Sequence, residues 1–288
     1  RPVKASPSPL DKAMSPLEAF RAIALACVLH LQRNEAGAIA GNDPEFVHQA
    51  RVAIRRLRSA FRLFAPALSP EFITIYVPRW KALAGDLGDA RDWDVFLDET
   101  LAPLEEAFPG DADLAILRKK GEAAKVKAQL SAGSALSQAE YNRLMLAFSA
   151  ALLRNEGPTI APAVGKSVRR LRGFARRRLR NRARAVSELA RDHGKMNAER
   201  RHELRIAFKK LRYALDFFAP LFPGKRLAAY QASLAAIQDL LRHGDCEIAI
   251  GQPNCIQSRG DAVAAERLGN QRGQSGLRVV LLHDEHNT

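Results

Sequence analysis

The stretch His48–Leu68, HQARVAIRRLRSAFRLFAPAL, returns 154 residues later as His202–Phe222, HELRIAFKKLRYALDFFAPLF, without a gap. Nine of the 21 aligned positions are identical. Unrelated amphipathic helices share Leu and Arg positions by chance, but they do not readily share a leading His and a closing Ala-Pro, so the repeat reads as an internal duplication. Further on, Trp80–Asp92 (WKALAGDLGDARD) resembles Leu234–Asp245 (LAAIQDLLRHGD) if the second copy has lost one residue. The chain is therefore expected to hold two similar bundles, over residues 14–153 and 154–250, with a linker-like opening at 1–13 and a divergent tail at 251–288.

At 100° per residue, His48, Arg51, Arg55, Arg58 and Arg62 fall on one stripe about 80° wide. Opposite them lie Ala50, Ala53, Ile54, Leu57, Ala60, Phe61 and Phe64, an apolar face suited to a bundle core. In the second copy His202, Arg205, Lys209 and Arg212 take the same offsets, and Leu204, Phe208, Leu211, Leu215 and Phe218 form the apolar side. Asp216 stands where the first copy has Arg62, so the second stripe is expected to be shorter and to end in an ion pair.

A solvated helical face usually interleaves charges, because opposite charges at i,i+4 stabilise a helix and like charges repel. The five cations of the first seam have no acid at i±4, which points instead to a polyanionic partner. A third basic segment, Lys166–Arg184, has ten Lys or Arg in 19 residues and no acid, with Lys166, Arg169, Arg176, Arg180 and Arg184 on one arc. We rank Lys166, Arg169, Arg176 and Arg180 as second-tier contacts, together with Arg56 and Lys210 beside the two main stripes.

Helical periodicity runs through almost the whole chain, and alternating β-branched segments are nearly absent, so the fold class is all-α. Helices are expected over Pro16–Gly37, Pro44–Ala65, Pro70–Leu87, Arg91–Phe108, Asp111–Leu130, Ser137–Arg154, Pro162–Arg191, Ala198–Ala219, Lys225–Arg242 and Asp245–Ile250. Ser15, Asp43 and Ser69, each before a Pro, are predicted N-caps, and Ser137 with Glu140 reads as a capping box.

Composition narrows the function. Forty-five Lys plus Arg against 31 Asp plus Glu leave a net charge of +14, which calls for a polyanion or an anionic surface as partner. The longest apolar runs fall well short of the ~20 residues of a membrane-spanning helix. Three cysteines, Cys27, Cys246 and Cys255, have no zinc or disulfide spacing, which suggests a reducing, cytoplasmic setting. The Pro-, Lys- and Ser-rich opening Arg1–Ser15 looks like a linker from a longer polypeptide, and the tail after Gly251 has no stable helical period.

The HxxRxxxRxxR segment, its return as HxxRxxxKKLRY, and the string LGDARDWDV at Leu87–Val95 together resemble the CHAD family of histidine-bearing α-helical domains. The resemblance covers about Met14 to Ala249. It implies two pseudo-symmetric bundles of about four helices each, whose basic helices line a groove or pore that binds inorganic polyphosphate. Carried over by position, it selects His48, Arg51, Arg55, Arg58, His202, Arg205, Lys209 and Arg212 as ligand contacts. It also implies a binding or targeting module without catalysis, directed to polyphosphate-rich granules in the cytoplasm, and at times joined to a triphosphate-processing domain.

The residue types suit that ligand. Arg presents a planar fork of donors that matches phosphate oxygens, and it stays charged at any physiological pH. His48 and His202, with an ordinary pKa near ~6.5, would join as donors once protonated, so mild acid should strengthen binding. No P-loop string is present, and no cofactor is expected. The acids Asp86, Asp89, Asp92, Asp94 and Asp98 read as helix capping by Asp89 plus ion pairs to basic neighbours rather than as a metal site. The main competing reading is a non-specific nucleic-acid binder, with weak contact to phosphates. Against it, the first stripe has no aromatic for base stacking and only Tyr213 lies near the second. A membrane-surface role is not expected, because the apolar faces are needed for bundle cores.

Overall fold

The computed structural model of the chain describes residues 1–41, 43–154, 170–191, 197–225 and 227–237. Among these there are helices and turns and no strand, as an all-α chain requires. The expected helix Asp245–Ile250, the tail 251–288, and Lys166 and Arg169 of the third stripe lie outside the described residues, as do the seven aligned positions 238–244 and Asp245 itself. So do His193, His243, His283, His286, Cys246 and Cys255. The chain divides into two compact units, Arg1–Phe174 and Ala175–Thr288.

In the first unit, α1 (Pro16–Ala40) starts at a full capping box: the Glu18 amide donates to Ser15 Oγ at 3.2 Å and the Ser15 amide donates to Glu18 Oε2 at 2.7 Å. It stops at Gly41, whose φ of 70° is in the left-handed region that favours glycine. Asp43 caps α2 (Pro44–Phe64) by accepting from the Glu45 amide at 2.8 Å, and Ser69 caps α3 (Pro70–Asp86) by accepting from the Phe72 amide at 3.2 Å. Next, α4 (Gly88–Val95) passes through a wider π-type turn, Phe96–Leu101, into α5 (Ala102–Ala107). Two longer helices follow, α6 (Ala112–Ser137) and α7 (Ala139–Leu153).

The Ser137–Glu140 capping box does not form. Helix α6 continues past Leu130 to Ser137, whose hydroxyl turns back to donate to the Gly133 carbonyl at 2.9 Å, and the cap position of α7 is Gln138. Tertiary packing explains the extension. Ala132, Gly133 and Leu136 are buried, and a Cβ on Gly133 would lie 3.2 Å from the Ile39 carbonyl oxygen and 3.3 Å from that of Ala38 on α1. Burial of that face outweighs a local cap signal worth about 1 kcal/mol.

The core of this unit is aromatic. Phe20 of α1, Phe61 and Phe64 of α2, Phe72 and Trp80 of α3 and Phe148 of α7 are all buried, with ring centroids 5.2 Å apart for Phe20–Phe61 and 5.1 Å for Trp80–Phe148. All seven residues assigned to the apolar face of α2 are buried, so the basic stripe is turned away from this core. The linker-like opening lies against α1 and α2. The Val3 amide donates to Asn34 Oδ1, Asn34 Nδ2 donates to the Val3 carbonyl, and His30 Nε2 donates to that same carbonyl, each at 2.9 Å.

The second unit contains most of α8 (Leu171–Ala190), α9 (Ala198–Phe218) and α10 (227–237). Asn197 caps α9 by accepting from the Arg200 amide at 2.9 Å. Ala183 and Val186 of α8, Leu204, Phe208, Leu211 and Leu215 of α9, and Leu234 of α10 form its core. Each bound of α9 lies 154 residues beyond that of α2, and the 3-10 turns that follow, Ala65–Ala67 and Ala219–Leu221, keep the same offset.

Candidate polyanion-binding site

Helix α2 holds its stripe away from the aromatic core. Arg55 and Arg62 are exposed, while His48, Arg51, Arg56 and Arg58 are half-buried. These cations lie close enough to oppose one another's charge. Burial, then the neighbouring Arg62, lowers the pKa of Arg58. Burial also lowers that of His48; Glu45 opposes the shift, and Arg91, Arg55 and Arg51 add to it.

Arg51 departs from the pattern of its neighbours. Its Nη1 donates to the Leu87 carbonyl at 2.8 Å and to the Gly88 carbonyl, and its Nη2 lies 3.7 Å from Asp92 Oδ1. The guanidinium therefore ties α2 to the corner between α3 and α4. The only acid on α2 is Glu45, in its first turn, and the fold brings a second one to the seam from Leu87–Val95. The same corner brings Arg91 into the electrostatic environment of both His48 and Arg51. Arg91 lies on α4 and so has no place on the α2 wheel; its one mark in the sequence is the LGDARD string itself.

The aspartates here are structural counter-charges. Asp94 is buried and pairs with Lys125 Nζ at 2.7 Å, and Arg91 approaches it at 4.0 Å. Asp89 is not a cap: the position before α4 is Leu87, and Asp89 sits within the first turn, where a carboxylate favours the helix dipole. Among the described residues, no group of three or more His, Cys, Asp or Glu is placed to hold a metal ion.

In the second unit, His202 and Lys209 are exposed and Arg205 is half-buried, with its Nη2 3.5 Å from His202 Nδ1. Arg212 lies over the Tyr213 ring at 5.7 Å from the centroid. Asp216 accepts a hydrogen bond from Gln231 Nε2 at 3.0 Å. Arg176 and Arg180 of α8 are exposed. Lys210 of α9 and Arg182 of α8 meet at a shallow depression whose lining includes Glu203 and Ile206. Cations crowd on α8 too, since burial, then Arg182 and Arg177, lowers the pKa of Arg178.

No helix among the described residues is long and apolar enough to cross a membrane. The family model of the CHAD domain matches residues 22–250. Among solved structures, the chain is similar to the crystal structure of the CHAD domain from the plant Ricinus communis, with a TM-score of 0.71 and 34% identity over 88% of this chain and 86% of that one. It is also similar in fold to PptA from Streptomyces chartreusis, with a TM-score of 0.51 and 18% identity over 88% of this chain and 89% of that one. No curated protein sequence matches it.

Proposed function

We propose that this chain, which belongs to the CHAD family, binds inorganic polyphosphate through the basic faces of α2 and α9. The family is linked to polyphosphate and triphosphate binding, and its domains generally serve as binding or accessory modules. The observation that carries the reading is the charge crowding on α2. Arg51, Arg55 and Arg91 each make it harder for His48 to carry charge, Arg55 and Arg91 do the same to Arg51, and a bound polyanion reverses that repulsion. In the proposal, Arg55, Arg58 and Arg62 follow successive phosphates along one helical face, and His202, Arg205, Lys209 and Arg212 do so in the second unit. Arg56, Lys210, Arg176 and Arg180 add charge at the margins. Binding without turnover, in the cytoplasm and at polyphosphate-rich bodies, is the activity we assign.

The test compares long-chain polyphosphate with single-stranded RNA at equal phosphate concentration, in low and near-physiological salt. An Arg55→Ala/Arg58→Ala/Arg62→Ala variant and a Lys209→Ala/Arg212→Ala variant accompany the wild type. Arg51 is left in place because its loss would disturb the α3–α4 corner. Polyphosphate should hold much tighter than RNA near physiological salt, and each variant should lose at least about tenfold, the scale of one or two charge-assisted hydrogen bonds. Equal binding of RNA, or variants indistinguishable from wild type, would leave only a generic basic helical protein.

A further inference from the structure

We propose that Arg91 is a phosphate contact of the α2 face, and that Arg51, one helical turn from His48, is the residue that positions it. The inference rests on the polyphosphate reading above and assigns two roles within it.

The positioning part follows from contacts. One Arg51 guanidinium reaches the carbonyls of Leu87 and Gly88 and faces the Asp92 carboxylate at 3.7 Å. It thereby joins α2 to both sides of the break between α3 and α4. Gly88 gives this approach its room, since a Cβ there would meet Arg51 Nη1 at 3.3 Å, tighter than ordinary van der Waals contact. With two carbonyls to satisfy, Arg51 already has two of its five N–H donors committed to the corner.

The contact part follows from what the corner carries. Arg91 immediately precedes Asp92, so the interaction that docks Asp92 on Arg51 brings the Arg91 backbone to the same edge of α2. The Arg91 side chain is partly exposed. Its ion pairs are long, 4.0 Å to Asp94 and 3.6 Å to Glu99, and neither is a hydrogen-bond distance. Asp94 has a better partner in Lys125 at 2.7 Å, so the carboxylate stays compensated if Arg91 turns to a ligand. Arg91 already bears electrostatically on His48 and Arg51, which places its charge in the same field. A phosphate held by Arg55 and His48 thus gains a further cation from a different helix, and a cation from a second direction grips a chain better than one more on the same row.

The experiment measures polyphosphate affinity and its salt dependence for wild type, Arg91→Gln, Arg91→Lys and Arg51→Lys, with the His48 imidazole titrated by NMR in each free protein. We expect Arg91→Gln to bind about tenfold or more weaker, to shift the slope of log K against log[salt] by about one unit, and to keep the wild-type melting temperature. Arg91→Lys should recover most of the affinity. Removing the Arg91 charge should raise the His48 pKa, a readout that a purely structural role would not move. Arg51→Lys should lower affinity while leaving the salt slope near that of wild type. If wild type binds and Arg91→Gln binds equally well with an unchanged slope, the inference fails while the polyphosphate reading stands. If wild type itself shows no preference for polyphosphate, the reading fails first.

Discussion

Arg51 and Arg55 occupy the same stripe one turn apart, yet the fold uses them differently. Arg55 is exposed, whereas Arg51 satisfies the Leu87 and Gly88 carbonyls at a partly buried corner. Deleting a donor that serves buried acceptors costs about 1–3 kcal/mol, and exposed substitutions usually fall within about 0.5 kcal/mol. Arg51→Ala should therefore lower stability in urea denaturation by about 1–2 kcal/mol, and Arg55→Ala should leave it nearly unchanged while weakening polyphosphate binding. Equal stability of the two variants would count against the corner. His48 differs again: burial lowers its pKa, so carrying a positive charge and a second N–H donor there is favoured by acid or by a bound anion.

Helix α7 shows how an element contributes through one side chain. Phe148 is fully buried and lies within 6 Å of the rings of Phe61, Phe72, Tyr76 and Trp80, so it joins α2, α3 and α7 in one cluster. On the same helix Leu146 is 74% exposed. Phe148→Ala should cost about 3–5 kcal/mol, the range for truncating a buried aromatic, and Leu146→Ala about 0.5 kcal/mol or less. Chemical denaturation of both variants measures the contrast. Because α2 carries the stripe on one face and Phe61 on the other, a loose aromatic core should also weaken the proposed polyphosphate binding. Helix boundaries were legible wherever a cap and a Pro coincided, as at Ser15, Asp43 and Ser69. The end of α6 was not, because contact with α1 sets it.

For the whole molecule, the depressed histidines predict that pH acts on stability and on the proposed binding in opposite directions. His30 and His48 both have folded pKa values below the ordinary histidine value, chiefly through burial. A depressed histidine favours the folded state above its unfolded pKa of about 6.5, and that contribution is lost as pH falls through the folded value, because the unfolded chain takes up protons first. The melting temperature of the free protein should be lower at pH 5.5 than at pH 7.5. Under the proposed function, polyphosphate would reverse the field around His48, so it should bind tighter at pH 5.5, and its stabilising effect on melting should grow there. Thermal unfolding with and without ligand at the two pH values measures both, and a ligand effect that shrinks in acid would remove His48 from the site.

From the sequence alone came the all-α class, the basic helical segment that occurs twice and the side of it that carries charge. All of these are properties of a 3.6-residue period, and a period is written in one segment of chain. Contacts between segments were not legible in that way. That Arg51 serves the carbonyls of Leu87 and Gly88, that Arg91 joins the field of His48, that Asp94 is answered by Lys125, and that residues 1–10 lie along α1 and α2 depend on groups far apart in sequence. A helical wheel gives the direction of a side chain; only tertiary packing decides which partner waits there, because burial and counter-charge are supplied by neighbours that the wheel does not contain.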